Sequence, residues 1–558
     1  MQARRPQLAE LGLFLLVVAL PLVFTPFSAS PFGDPKLVVL AAGTLALWAS
    51  GMPIDRRLAW ATAAWVGVTI VAALTGVDAS VGLTARTEGQ GGGAIVLGCA
   101  GALAVVGSGL SDELRERARR WFVVSGVVVA VLGLAIRIVP NASTWLPSDI
   151  EMIGATLGNQ LFAAAFVAAA VAAAIVGGRS AIHGGSGTVN PRTVALVAFL
   201  ALGAATFGER SSIVLPVIAG AAVLWRARLG ARATIVLACA VVVPLIAWQA
   251  IDATVFPDTT GRGAAVTGIE AQATDVQRVT VWRVMGRATL DRPVLGWGPG
   301  SARSGYLATA TPAEVEDAGR RWSDAHDLFL ETAVTSGALG LAALAWLVVL
   351  LTARSLRAGR DRAWAFGAAA GLAAYSVVEP IGLVLTPLLF LFAGIAAGPA
   401  RVTEAERAER PAWGRRAITW GVGAMLAVAT VVSLQMLVAA GLERWGRVYG
   451  ETWALEAALR VQPWRLSSAE RLAFIWALDG RAGEEAAVQR ARDEIGRAVV
   501  RHPWDGDVRL WAADIETLLR DELAARAWID EHLARFPGDV PRAEGGGSTD
   551  LENPPPGA

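Results

Sequence analysis

Cysteine and histidine are both scarce in this 558-residue chain. The two cysteines, Cys99 and Cys239, sit inside apolar blocks, which argues against a disulfide or a zinc site. Four histidines, His183, His326, His502 and His532, leave little scope for a His-rich metal centre. Charge is short as well. Only 17% of residues are charged, against about one-quarter in soluble domains. The net charge of +1 gives no reason to expect a nucleic-acid partner. In place of charge the chain is 54% hydrophobic, with a mean hydropathy of +0.49. The apolar residues gather in long blocks, the pattern of an all-α polytopic membrane protein.

A helix crossing the hydrocarbon core needs about 20 apolar residues. Thirteen candidate spans lie near 9–27, 35–51, 58–76, 91–109, 120–139, 158–177, 192–207, 211–226, 231–250, 327–352, 362–379, 381–398 and 416–439. The pairs meeting at Glu209–Arg210 and at Glu379–Pro380 each read as one kinked element or two short helices. Connecting segments alternate in charge. The basic ones hold Arg4–Arg5, Arg56–Arg57, Arg115–Arg120, Arg179–Arg192, Arg226–Arg232, Arg354–Arg362 and Arg401–Arg416. The others, Ser28–Asp34, Gly76–Gln90, Val139–Leu157 and Ile251–Ala325, are poorer in Lys and Arg for their length. The positive-inside rule puts the basic set and the amino terminus in the cytoplasm. An odd span count then puts the chain after Leu442 outside, and loss of one span would reverse that. Residues 1–30 also have the outline of a signal peptide, Arg4–Arg5 then an apolar run then Ser28-Ala29-Ser30. That run is long for one, and no soluble domain follows it.

Three regions are expected: a transmembrane part over 1–442 with a large outer loop at 251–325, a helical part over 443–540, and a compositionally disordered tail over 541–558. The second is amphipathic and punctuated by Gln462-Pro463-Trp464, His502-Pro503-Trp504 and Phe536-Pro537. Pro503 to Pro537 is one tetratricopeptide period. Two or three tetratricopeptide-like hairpins are expected, with a plain helical bundle as the alternative. Such repeats bind peptides or partner proteins and supply no chemistry themselves.

Polar groups near a bilayer persist where function needs them. Glu209-Arg210-Ser211 places a carboxylate and a guanidinium between two spans on the outer side, unless Arg210 simply snorkels from a helix end. In the outer loop, Val281, Val284, Met285 and Ala288 form an apolar stripe over 277–290, an amphipathic interfacial helix with Arg278 and Trp282 one turn apart on one face. Gly296-Trp297-Gly298-Pro299-Gly300 follows as a tight turn or close-approach surface, and it lacks the Gly-Lys-Ser/Thr of a phosphate-binding P-loop. His326 lies where this loop enters an apolar helix. With Ser323 or Asp324 as the cap, it falls in that helix's first turn, either as a proton acceptor for a hydroxyl or as a surface histidine. Arg86 in Thr84–Gly89 either meets a phosphate or pairs with Glu88. Gly158-Asn159-Gln160 opens a span with polar residues.

At these motifs the chain resembles the O-antigen ligase and Wzy polymerase superfamily. His326-Asp327-Leu-Phe-Leu-Glu331 with Gly337-Ala-Leu-Gly340 resembles its H-N-x-F-L-E…G-x-x-G block. Arg278–Trp282 with Pro293–Gly300 resembles R-x-x-x-W followed by P-x-x-G-x-G-P-G. The family's Ser-Arg-Gly appears as Glu209-Arg210-Ser211, a departure that keeps the arginine. Arg86-x-Glu88-Gly89 and Gly158-Asn159-Gln160 look like upstream blocks of members with tetratricopeptide tails.

The resemblance implies a GT-C-like glycosyltransferase of the bacterial inner (plasma) membrane, acting on its outer face with no cofactor or metal. It implies an undecaprenyl-diphosphate-linked glycan as donor and a hydroxyl of a glycan, lipid or protein as acceptor. His326 would be the general base or the residue that orients the acceptor hydroxyl, and Arg210, Arg278 and Arg86 would bind the diphosphate. Glu209, Trp282, Asp327, Glu331, Gly298 and Gly300 would support them. The competing reading is a transporter or flippase of a lipid-linked or polysaccharide substrate, which predicts span repeats and mid-membrane charge. A tetratricopeptide scaffold on a membrane anchor would need neither thirteen spans nor clustered outer arginines.

Overall fold

The computed structural model describes residues 5–85, 93–139, 155–177, 189–208, 210–255, 269–318, 322–377, 379, 382–398 and 412–539. Arg86, Glu88, Gly89, Glu209, His183 and the segment 541–558 lie outside the described residues. Among those described there is no strand. Every predicted span position carries a helix. The series begins with α1 (Arg5–Phe14, continued through Leu15–Ala19 and Leu20–Leu22), α2 (Asp34–Ala49), α3 (Arg56–Thr75), the short α4 (Ala79–Thr84), α5 (Ala94–Ser108), α6 (Asp112–Ile138) and α7 (Gln160–Gly177). It continues with α8 (Pro191–Ala205), α9 (Arg210–Ala227) and α10 (Ala231–Val255). The outer loop supplies α11 (Ile269–Asp291), α12 (Ala302–Thr309) and α13 (Pro312–Asp317). Then come α14 (Leu328–Arg357), α15 (Ala363–Ser376), α16 (Leu385–Ala397) and α17 (Ala412–Tyr449). The breaks at 206–208 and after Val377 resolve both doubtful pairs into two short helices.

Among the described residues, five helices are long and apolar enough to cross a bilayer: Arg56–Thr75, Asp112–Ile138, Ala231–Ile251, Leu328–Arg357 and Trp420–Tyr449. The others are shorter, and several are buried almost all round. α7 is the clearest case. Its Ala-rich run from Ala163 to Ile175 is buried, with α6, α8, α9 and α15 packed around it. Small side chains let helices approach closely, and dispersion then replaces the missing hydrophobic drive between apolar surfaces. α1 is part of the same core through Leu13, Leu16 and Leu20.

Among the described residues, polar contacts join some of the connecting segments within each of the two sets read from charge. At one end Arg354 pairs with Asp55 at 2.8 Å, Arg117 with Glu10, and Arg226 reaches the Ala358 carbonyl. At the other, Lys36 donates to the Thr156 carbonyl at 2.6 Å, Val77 N–H to the Trp297 carbonyl at 3.0 Å, and Ala29 N–H to the Ala440 carbonyl at 3.1 Å.

α17 runs unbroken past residue 442 into the tail. There α18 (Thr452–Val461), α19 (Leu466–Arg481), α20 (Glu485–Arg501), α21 (Val508–Leu518) and α22 (Glu522–Arg535) follow. α19 packs on α20 and α21 on α22, around a separate core that includes Leu472, Ile495, Trp511 and Ile515. A buried cluster joins this region to the bundle: Arg465 pairs with Glu443 and approaches Asp34 at 3.9 Å.

Candidate functional site: an arginine–carboxylate–imidazole centre

The apolar stripe of α11 is present as read: Val281, Val284, Met285 and Ala288 are buried. It is covered by the loop's own core, with Trp297, Tyr306 and Trp322, rather than left free for lipid. That packing fixes the flanking face. Trp282 there donates its indole N–H to the Ala325 carbonyl at 2.9 Å. The buried Glu331 carboxylate accepts the Ala325 N–H at 2.8 Å. Ala325 is therefore held through both its N–H and its carbonyl, immediately before His326.

His326 is not in the first turn of α14. Asp327 is the cap, accepting the Leu330 N–H at 2.6 Å, and His326 precedes it with φ +49°. The expected caps do other work. Asp324 accepts the His326 backbone N–H at 3.0 Å, and Ser323 donates to Asp324 at 2.9 Å. Left-handed backbone is uncommon outside glycine, and histidine is among the residues that tolerate it. Here it swings the imidazole back over its own loop. Nδ1 lies 3.1 Å from an Asp324 oxygen and 3.7 Å from a Glu379 oxygen. Trp322 meets the ring edge-on at 4.6 Å.

Glu379 joins this imidazole to Arg278. Its other oxygen receives the Arg278 Nη2 at 2.7 Å. Arg278 Nε is buried and has no hydrogen-bond partner among the described residues. Tyr375, at the end of α15 and buried against Phe162, feels the charges of Glu379, Asp324 and Arg278. Its hydroxyl has no hydrogen-bond partner among the described residues. Sequence reading missed Glu379 and Tyr375 as site residues. The available signal was a carboxylate at a break between short apolar helices, the same signal that singled out Glu209-Arg210. Arg210 opens α9, which packs on α7 and α15; its side chain lies outside the described residues, as does all of Arg86.

The glycine motif has a structural cause. α14 breaks at Gly337 (φ 65°, ψ −168°), which releases helical hydrogen-bonding groups on both sides. Residues 293–298 fill the break. Trp297 and Gly298 N–H donate to the Val334 and Thr335 carbonyls, each at 2.9 Å, and Ala338 N–H donates to the Pro293 carbonyl at 2.8 Å. A Cβ at Gly337 would overlap the Val294 carbonyl, and one at Gly296 the Val334 carbonyl. Gly298 and Gly300 also have positive φ and carry the chain past Gly76 and Val81. The two motifs are thus halves of one backbone joint. It ties α11, with Arg278, to α14, which His326 precedes.

Fold and site together define a multi-pass helical membrane protein with an arginine, a carboxylate and an imidazole gathered at the end that carries the 251–325 loop. Residues 164–345 match the family described as O-antigen ligase, which supports the superfamily resemblance over the stretch holding Arg210, Arg278, His326 and Gly337–Gly340. Glu379 and the tail lie beyond that match. The family implies a glycosyl-transferring membrane enzyme with a lipid-linked glycan donor. Comparison with curated proteins gives no match.

Proposed function

We propose that the protein moves a glycan from an undecaprenyl-diphosphate-linked donor to an acceptor hydroxyl on the extracytoplasmic face, without a metal and with inversion. The observation that carries this reading is the convergence of Arg278, Glu379 and His326 from three distant elements. In this reading Nδ1 is turned to two carboxylates and Nε2 takes the acceptor proton; the carboxylates fix the tautomer and stabilise the imidazolium that forms. The freed oxygen attacks the anomeric carbon as the bond from that carbon to the diphosphate oxygen breaks. The proton ends on His326, and the negative charge ends on the leaving diphosphate.

Arg278 is suited to that charge because a guanidinium can bind two oxygens at once. Its Nε, which has no hydrogen-bond partner among the described residues, is a donor in waiting. Arg210 and Arg86 complete the diphosphate site in this reading, and the Tyr375 hydroxyl makes a hydrogen bond to donor or acceptor. Stabilising the departing anion and holding two lipid-borne substrates side by side supply the rate.

In the same reading the bundle spans the bacterial plasma membrane thirteen times, with its amino terminus cytoplasmic and the outer loop and tail extracytoplasmic. The division of contacts into two ends supports this. The helices of 443–540 are read as tetratricopeptide-like hairpins, a partner protein being one ligand for them.

The test is transfer by purified protein in excess chelator. Activity should persist there, and Arg278→Ala should raise the donor KM. Loss of activity with chelator would restore a metal to the mechanism. An unchanged donor KM would remove Arg278 from diphosphate binding.

A further inference from the structure

The tail is docked on the outer loop through contacts that converge on one residue, Trp297. The turn between α20 and α21 supplies most of them. His502 Nδ1 lies 2.7 Å from Asp78 Oδ2, both residues buried. The other oxygen of Asp78 caps α4, accepting the Ser80 and Val81 N–H at 3.0 and 3.1 Å, and α4 ends at Thr84, two residues before Arg86. Arg303 pairs with Asp507 at 2.6 Å, and Ser304 donates to the Trp504 carbonyl at 2.7 Å.

The aromatic contacts run to the same place. The Trp504 ring stands edge-on to Trp297 at 5.7 Å. Arg292 lies over both rings, at 4.6 and 5.8 Å, and Arg535 over Trp504 at 5.0 Å. Phe536 is buried in the outer-loop core beside Trp297, Tyr306 and Leu307. Trp297 itself touches the elements around the site. Its carbonyl accepts Val77 N–H, its N–H meets Val334, and its indole N–H reaches the Ala288 carbonyl of α11 at 2.9 Å.

We infer that the C-terminal helices act in cis as a clamp that holds Trp297 in place and so sets the spacing between α11, α14 and the α3–α4 turn. The inference rests on the transferase reading, because the spacing matters for bringing donor and acceptor together. It gives the tail a task beyond docking other proteins: its loops bind this chain's own outer segment. Asp507, His502 and Arg303 are positioning residues here, since they act on the site through Trp297 and α4.

The experiment is charge exchange in the full-length chain. Arg303→Asp, Asp507→Arg and the double variant replace the wild type in a host lacking the gene. Surface glycan is measured against lipid-linked glycan, and the tail is probed by protease accessibility. Each single variant is expected to expose the tail and to lower transfer about tenfold, since small misplacements of reacting groups cost that much or more. The double variant is expected to recover both. Membrane levels of each variant separate misfolding from undocking. His502→Ala with Trp504→Ala gives a second undocked form that does not depend on the ion pair.

An exposed tail with wild-type transfer, in either form, would overturn the clamp. So would a tail that stays protected in both. Failure of the transferase reading looks different: His326→Ala would then transfer like the wild type, whatever the tail does.

Discussion

His326 adopts a backbone conformation that costs an L-residue about 1–2 kcal/mol, and the Ala325 clamp is what holds it there. Glu331→Ala leaves the buried Ala325 N–H unpaired, at a cost of about 1–3 kcal/mol. That variant should show a lower thermal midpoint together with a lower kcat; an unchanged midpoint would mean the clamp does not hold the loop. Tyr375→Phe separates substrate contact from folding. The hydroxyl it removes has no hydrogen-bond partner among the described residues, so stability should hold or rise slightly while transfer falls about tenfold, the loss of one hydrogen bond of ordinary strength. Full activity in that variant would leave the hydroxyl as a buried group with no role. At this scale the sequence singled out His326, Arg278, Trp282 and Glu331, because each sits in a local motif. It was silent on Glu379, which meets Arg278 across 101 residues and has no pattern of its own beyond a break between apolar runs.

The joint between 293–298 and the break in α14 joins the two halves of the site, and its glycines are its vulnerable points. Gly337→Ala puts a methyl into a backbone carbonyl at a positive φ. It should destabilise the protein by more than about 1–3 kcal/mol, read as a lower thermal midpoint in detergent, and an unaltered midpoint would refute the joint.

The contact between α11 and α13 has a pH signature. Hydrogen bonding to Arg287 holds the Glu314 carboxyl down at about 2, against an ordinary 4.5. A depressed carboxyl stabilises the fold in full above its unfolded value and loses that contribution as pH falls toward the folded one. The stability difference between wild type and Glu314→Gln should therefore be constant above about 4.5 and shrink toward zero near 2. A difference that grew on acidification would contradict the pairing. Elements were largely legible in the sequence: thirteen apolar runs gave helices, and the four-residue stripe of α11 was read correctly. The start of α14 was not, because Asp327 rather than Ser323 or Asp324 caps the helix, and Asp324 is taken up by the His326 N–H instead.

Across the whole molecule, the tail and the outer loop meet at one end of the bundle, whereas the repeat period in the sequence spoke only of hairpins. A period fixes how helices pair with their neighbours, and it says nothing about which distant surface their turns will grip. Reporters inserted in the outer loop near residue 260 and after Leu442 should both read as extracytoplasmic, and opposite readings would contradict the docking. The central claim is that the centre built by Arg278, Glu379 and His326 transfers a lipid-linked glycan. Its most direct measurement compares lipid-linked with surface glycans in a gene-deleted host carrying His326→Ala at wild-type membrane levels. The account expects lipid-linked glycan to accumulate and surface glycan to be lost, by at least the hundredfold of a missing general base. Surface glycan at the wild-type level would contradict it.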